Sequence, residues 1–156
     1  MIYYTIMLAA SHALAGAAIA AATPSSTAGF IIALLSHPLL DFIPHWDLHT
    51  RYTRRSRFKL IILSLTDAAL GILPGVWLFR HLVPLPQLIL TMLIAQAPDW
   101  LEAPYHLFNW HFPPFSTVKR LQHLWHHKLG LPWGLITQIA FLGALYVLSS
   151  AGINPN

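Results

Sequence analysis

Long apolar runs that carry acidic residues constrain this chain more than any other feature. Asp41 lies in SHPLLDFIPHWD, Asp67 in LSLTDAALG, and Asp99 and Glu102 in AQAPDWLEAPYH. Asp47 closes the first motif, and these are all 5 acidic residues. His12, one of 10 histidines, sits inside MLAASHALAGAAIAA. An ionised carboxylate at the centre of a membrane span costs roughly 2.5–3.5 kcal/mol on insertion scales. Acids placed there need partners, and the accompanying histidines point to a metal ion.

The chain is 56% hydrophobic and 9% charged, with mean hydropathy +0.56. Ordinary soluble domains carry about 25% charged residues. The expectation is an all-α, polytopic helical membrane protein forming one domain over 1–156. Hydropathy places five transmembrane helices near 2–22, 27–44, 58–83, 86–108 and 132–152, each close to the ~20 residues needed to cross hydrocarbon. Pro24-Ser25-Ser26 and the pair Pro84 and Pro86 supply turns between them. The first run lacks the basic start of a signal peptide and is read as a retained span. One interfacial helix is expected near 116–129. Ser116 is its N-cap, Val118, Leu121, Leu124 and Trp125 recur at helical spacing, and Gly130 stops it.

Lys and Arg set the orientation. Arg51, Arg54, Arg55, Arg57 and Lys59 follow the second span, and Lys119, Arg120 and Lys128 follow the fourth. Only Arg80 falls on the other side, so the positive-inside rule puts the N-terminus in the cytoplasm and the C-terminus outside. A bacterial-type inner membrane is the expected location, with membrane lipids as partners. No basic surface interleaved with aromatics is present, which argues against nucleic acid. The absence of cysteine leaves only nitrogen and oxygen donors for a metal.

The polar groups share one depth. Counted inward from the cytoplasmic ends, His12, His37, Asp41, Asp67, Asp99 and Glu102 lie about 5–15 Å inside that face at 1.5 Å per residue. His37 and Asp41 are i,i+4, Asp99 and Glu102 are i,i+3, and His123 and His127 are again i,i+4 around His126. His and carboxylate on helical spacing is how bundles build metal sites. The candidate ligands are therefore His12, His37, Asp41, Asp67, Asp99, His123 and His127. They suit a divalent metal, zinc first, with iron or manganese as alternatives. Pro38 and Pro98 flank the site residues, and each is expected to kink its span and free a carbonyl. Each group also has a plainer reading, such as an interhelical hydrogen bond for His37 and Asp41 or an interfacial basic patch for QHLWHH. Gln138 reads as an interhelical hydrogen-bond donor.

The motifs SHPLLDFIPHWD, APDWLEAPYHLF and HLWHHKLGLPWGLITQ resemble segments of small bacterial membrane proteins, the YdjM-like inner-membrane group of metal-dependent hydrolases. ASHALAG is similar to that group's early histidine followed by small residues. The resemblance covers most of the chain through short motifs. It implies a helical membrane protein with a metal-dependent hydrolytic site, carried over to His12, His37, Asp41, Asp99 and the histidines at 123–127. HPLLD and PHWD stand where the group often shows a proline-Asp-x-Asp-His run. HLWHH stands in place of a His-Arg-Gly-x-x-His-Ser pattern.

The expected activity is hydrolysis of a lipid-like or amphipathic ester or phosphoester at the cytoplasmic interface. Glu102 and His126 are the expected general base and acid. Two other readings stay open: a metal-ion or proton-coupled transport protein, and a non-catalytic membrane protein with a structural metal.

Overall fold

Alanine and glycine dominate the helix at the centre of this molecule. The computed structural model describes residues 9–46, 56–125 and 129–151, and within them the chain is all-helical. The order is α1 (Ala9–Ala22), α2 (Ser26–Phe42), α3 (Arg57–Phe79), α4 (Leu85–Ala95), α5 (Ala97–Leu107), α6 (Phe115–Trp125) and α7 (Trp133–Ala151). α1 packs against α2, α3, α4 and α7. Its small side chains favour the helix and let neighbouring backbones come close. A Cβ at Gly71 of α3 would lie 2.5 Å from Ala10 Cα, and one at Gly16 would lie 2.9 Å from Thr91 O of α4.

These approaches set the directions. Ala10 meets Gly71, Ala17 meets Gly75, and Ala20 to Ala22 share a cleft with Leu82 and Val83, so α1 and α3 run parallel. α2 returns antiparallel after the Pro24 turn, with Ser25 accepting from the Ala28 amide as its N-cap. α4 also descends against α1, with Thr91 and Met92 beside Gly16 and the following Gln96 bonded to Ala9 O. α7 rises again, with Phe141 and Leu145 packed on Ala15 and Leu40. The core at the far end joins Ala13, Ala17, Ala18 and Ala20 to Phe79, Val83, Leu88 and Met92.

Polarity is inverted relative to a soluble bundle. The buried face of α2 is Gly29, Ala33 and His37 at steps of four, with Leu40 and Asp41 three and four residues beyond His37. Its opposite face exposes Ile31, Leu35 and Leu39, the last by 66%. α3 likewise exposes Leu65, Leu70, Leu73 and Trp77 while burying Ala68, Gly71 and Gly75. α3 is long and apolar enough to cross a membrane by length and composition. α1, α2, α4 and most of α7 are shorter apolar helices.

The run 86–108, expected as one span, is two helices with a break at Gln96. Pro98 has no amide hydrogen for the Ile94 carbonyl, and its ring crowds that carbonyl. Gln96 turns back to Leu93 O, and Asp99 N bonds Gln96 O at 3.0 Å. α2, by contrast, runs through Pro38 as one helix. The expected helix near 116–129 begins at Phe115, one residue before Ser116, and is described as far as Trp125.

Gly71→Ala pushes a methyl group into the Ala10 backbone. It should cost about 1–3 kcal/mol, the range for overpacked cores, read as a lower thermal unfolding midpoint of the purified protein. Gly143→Ala, where a Cβ meets nothing within 4 Å, should leave the midpoint unchanged or raise it. Equal midpoints for the two variants would refute close α1–α3 packing.

Candidate metal centre

The helix break decides where His37 points. In a continuous helix the Ala95 carbonyl would accept from the Asp99 amide, but that amide is committed to Gln96 O. Ala95 O accepts instead from His37 Nδ1 at 2.8 Å. A carbonyl only accepts, so Nδ1 carries the hydrogen and Nε2 presents a lone pair in neutral imidazole. This is the usual way a backbone carbonyl fixes the tautomer of a ligating histidine. Gln96 is itself fully buried, giving its Nε2 hydrogen to Ala9 O at 3.1 Å and accepting from Trp100 Nε1 at 3.1 Å.

Two carboxylates lie near His37 Nε2. Asp41 Oδ2, one helical turn on, lies 3.4 Å away, and Asp99 Oδ1 at the start of α5 lies 3.6 Å away. His12 of α1 stacks on the His37 ring at a centroid distance of 3.8 Å and an interplanar angle of 16°. Its Nε2 is 3.3 Å from Asp41 Oδ1. His12, His37 and Asp41 are buried, and one ligand atom from each lies within 4.8 Å of the others. This group can hold a metal ion.

Its chemistry fits that role. Neither ring nitrogen of His12 has a hydrogen-bond partner, and Asp99 Oδ2 is also without one. A buried polar group without a partner costs about 1–3 kcal/mol. Carboxylate oxygens facing an imidazole lone pair repel unless a proton or a cation lies between them. A divalent ion satisfies several of these acceptors at once and offsets the charge of two carboxylates in a poorly solvated place.

The other expected residues are placed differently. Asp67 Oδ2 accepts from the Ala9 amide at 2.6 Å, so that oxygen caps α1 and is not one of the three clustered groups. Glu102 is buried and bonded through Oε1 to Lys119 Nζ at 2.8 Å and His106 Nε2 at 2.6 Å. His123 is on the exposed side of α6. His126 and His127 lie outside the described residues.

Gln122, Lys119 and Gln96 are the site neighbours that the sequence reading passed over. Gln122 Nε2 lies 3.2 Å from His37 Nε2 and 3.1 Å from Asp99 Oδ1. The spacing held a signal: Lys119 and Gln122 are i,i+3 and therefore share the inner face of α6. His45 is also fully buried, with Nδ1 bonded to Ile43 O at 2.7 Å. Gln138 does donate across helices, to Trp46 O at 3.1 Å.

Compared with known proteins, the chain matches no family model, no curated sequence and no solved structure.

His37→Ala and Asp41→Ala should each sharply lower bound divalent metal, measured by elemental analysis after dialysis. Full occupancy in the double variant would sink the assignment. Pro98→Ala restores an amide hydrogen and lets the Ala95 carbonyl return to helix bonding. Metal affinity should then fall about 10–100-fold, as for other groups that orient a ligand. Acidification should release the ion, because protons compete for imidazole nitrogen.

Glu102→Gln leaves Lys119 buried without its counter-charge. Breaking one side of a buried pair costs roughly 3–5 kcal/mol, so this change should destabilise the fold. Adding Lys119→Met should recover part of that loss in thermal unfolding. Unchanged stability in the single variant would show the pair to be energetically idle.

Proposed function

We propose that this chain is a membrane-embedded, metal-dependent hydrolase acting on an amphipathic ester or phosphoester. The observation that carries the reading is the meeting of His12, Asp41 and Asp99 around the acceptor Nε2 of His37, whose tautomer is held by Ala95 O. Imidazole with carboxylate suits zinc, and also iron or manganese. When bound, such an ion supplies Lewis-acid polarisation of an ester or phosphoryl oxygen and makes water more acidic.

The protein's own groups do the rest. His12, His37 and Asp41 would hold the ion, with Asp99 beside them. Glu102 and His106 share a short hydrogen bond and form the proton-handling pair, and Lys119 Nζ pairs with the same Glu102 oxygen. His126 is the second proton-handling candidate from sequence.

The membrane setting rests on the inverted polarity. Leucine and isoleucine cover the outside of α2 and α3 while His and Asp lie inside. Lipid accepts that surface, whereas water does not favour apolar patches of this extent. Five spans and an inside N-terminus are read from hydropathy and from eight of the nine basic residues following the second and fourth expected spans in sequence. The resemblance to the YdjM-like hydrolase group supports the same reading, as does a site near one end of the bundle, within reach of headgroups. The proposed location is a bacterial-type inner membrane.

A screen of phospholipids and soluble amphipathic esters and phosphoesters, with and without chelator, tests the activity. Wild type should turn over at least one class, chelator should abolish turnover, and zinc should restore it. His37→Ala should lose it. Metal-loaded wild type that hydrolyses nothing, yet drives metal or proton flux in proteoliposomes, would replace this reading with transport.

A further inference from the structure

Gln122 enters the site from α6 with 6% of its surface exposed. Its Nε2 lies within 3.2 Å of His37 Nε2 and 3.1 Å of Asp99 Oδ1, while its Oε1 is buried without a hydrogen-bond partner. Both neighbouring atoms are acceptors in this arrangement, so the two amide hydrogens serve them and the oxygen is left over.

A cation reverses the preference. The His37 Nε2 lone pair cannot serve both an ion and an amide hydrogen. An ion beside Nε2 and Asp99 Oδ1 repels the positive end of the amide dipole and attracts the negative end. The two ends of a glutamine amide are almost equal in size, so a half-turn about the last torsion exchanges them at little steric cost. The orphaned oxygen is then the atom that gains a partner.

We propose that Gln122 is a metal ligand through Oε1, so that ion binding fastens α6 to α2 and α5. The proposal rests on the reading that the His12, His37 and Asp41 group holds a divalent ion, and it is independent of hydrolysis. It makes α6 the element that senses occupancy. α6 turns Lys119 and Gln122 inward and exposes Leu121 and Leu124, the latter by 70%. Fastening its inner face fixes how those leucines are presented to the surroundings.

Zinc and manganese titrations of the full chain, wild type against Gln122→Ala and Gln122→Glu, provide the test. Calorimetry reads the affinity of the site that His37→Ala removes. Hydrogen exchange reads the amides of residues 118–125 with and without zinc. Gln122→Ala should bind about 10–100-fold more weakly and lose the zinc-induced protection of α6. Gln122→Glu, which keeps the shape and supplies an oxygen in either orientation, should bind at least as tightly as wild type and regain the protection. Affinity in Gln122→Ala equal to or above that of wild type would overturn the proposal, because the amide would then be only a competitor for His37. Unchanged α6 exchange on adding zinc to wild type would also overturn it. Wild type that binds neither metal overturns this proposal together with the metal reading. Zinc binding with the expected Gln122 effects but no hydrolysis supports the proposal and counts against the hydrolase alone.

Discussion

A single missing hydrogen organises the site. Pro98 cannot bond the Ile94 carbonyl, so the descending helix breaks, and the next amide, that of Asp99, takes Gln96 O. The Ala95 carbonyl is then open to His37 Nδ1. From that bond follow the tautomer of His37, the direction of its Nε2 and the placing of Asp99 at the head of a new helix beside it. Gln96 is fixed in the break by Ala9 O and Trp100. The break is thus tied to α1 and α2 and is part of the site's architecture.

The convergence also depends on α1 being thin. Its alanines and Gly16 admit α3 and α4 at backbone contact, and His12 is its one large polar side chain. Stacking of His12 on His37 brings an imidazole from α1 to the same carboxylate that His37 faces from within α2. Bulkier residues along α1 would hold the helices apart and separate these rings. Polar groups can be gathered this way because the outside of the bundle carries the apolar surface that a soluble bundle would bury.

α6 completes the inner layer. Lys119 neutralises Glu102 and Gln122 reaches His37 and Asp99, so the helix contributes two polar side chains three residues apart on its inner face. Buried pairs of this kind gain little over apolar packing but lose heavily when one partner is removed. Glu102 Oε1 is therefore held by Lys119 Nζ and His106 Nε2 together.

Much of this was legible from local pattern. Apolar periodicity sufficed for an all-helical chain, and i,i+4 spacing put His37 and Asp41 on one face because helix geometry depends only on near neighbours. His12 and Asp99 were legible as candidates because a polar group in an apolar run must find a partner. What sequence could not settle was which partner. His37 with Ala95, His37 with Gln122, and Gln96 with Ala9 join residues 58, 85 and 87 positions apart. The assignment of Asp67 illustrates the difficulty: a buried carboxylate can serve an ion or a helix amide, and here Ala9 lay within reach. On α6 a step of one residue rotates a side chain by about 100°. Gln122 therefore faces His37, while His123 next to it is exposed. The sequence by itself determined the helices and the polar candidates, since both follow from local geometry and the cost of burial. Only the tertiary structure decided the pairings, because helix rotation is set by packing between distant segments.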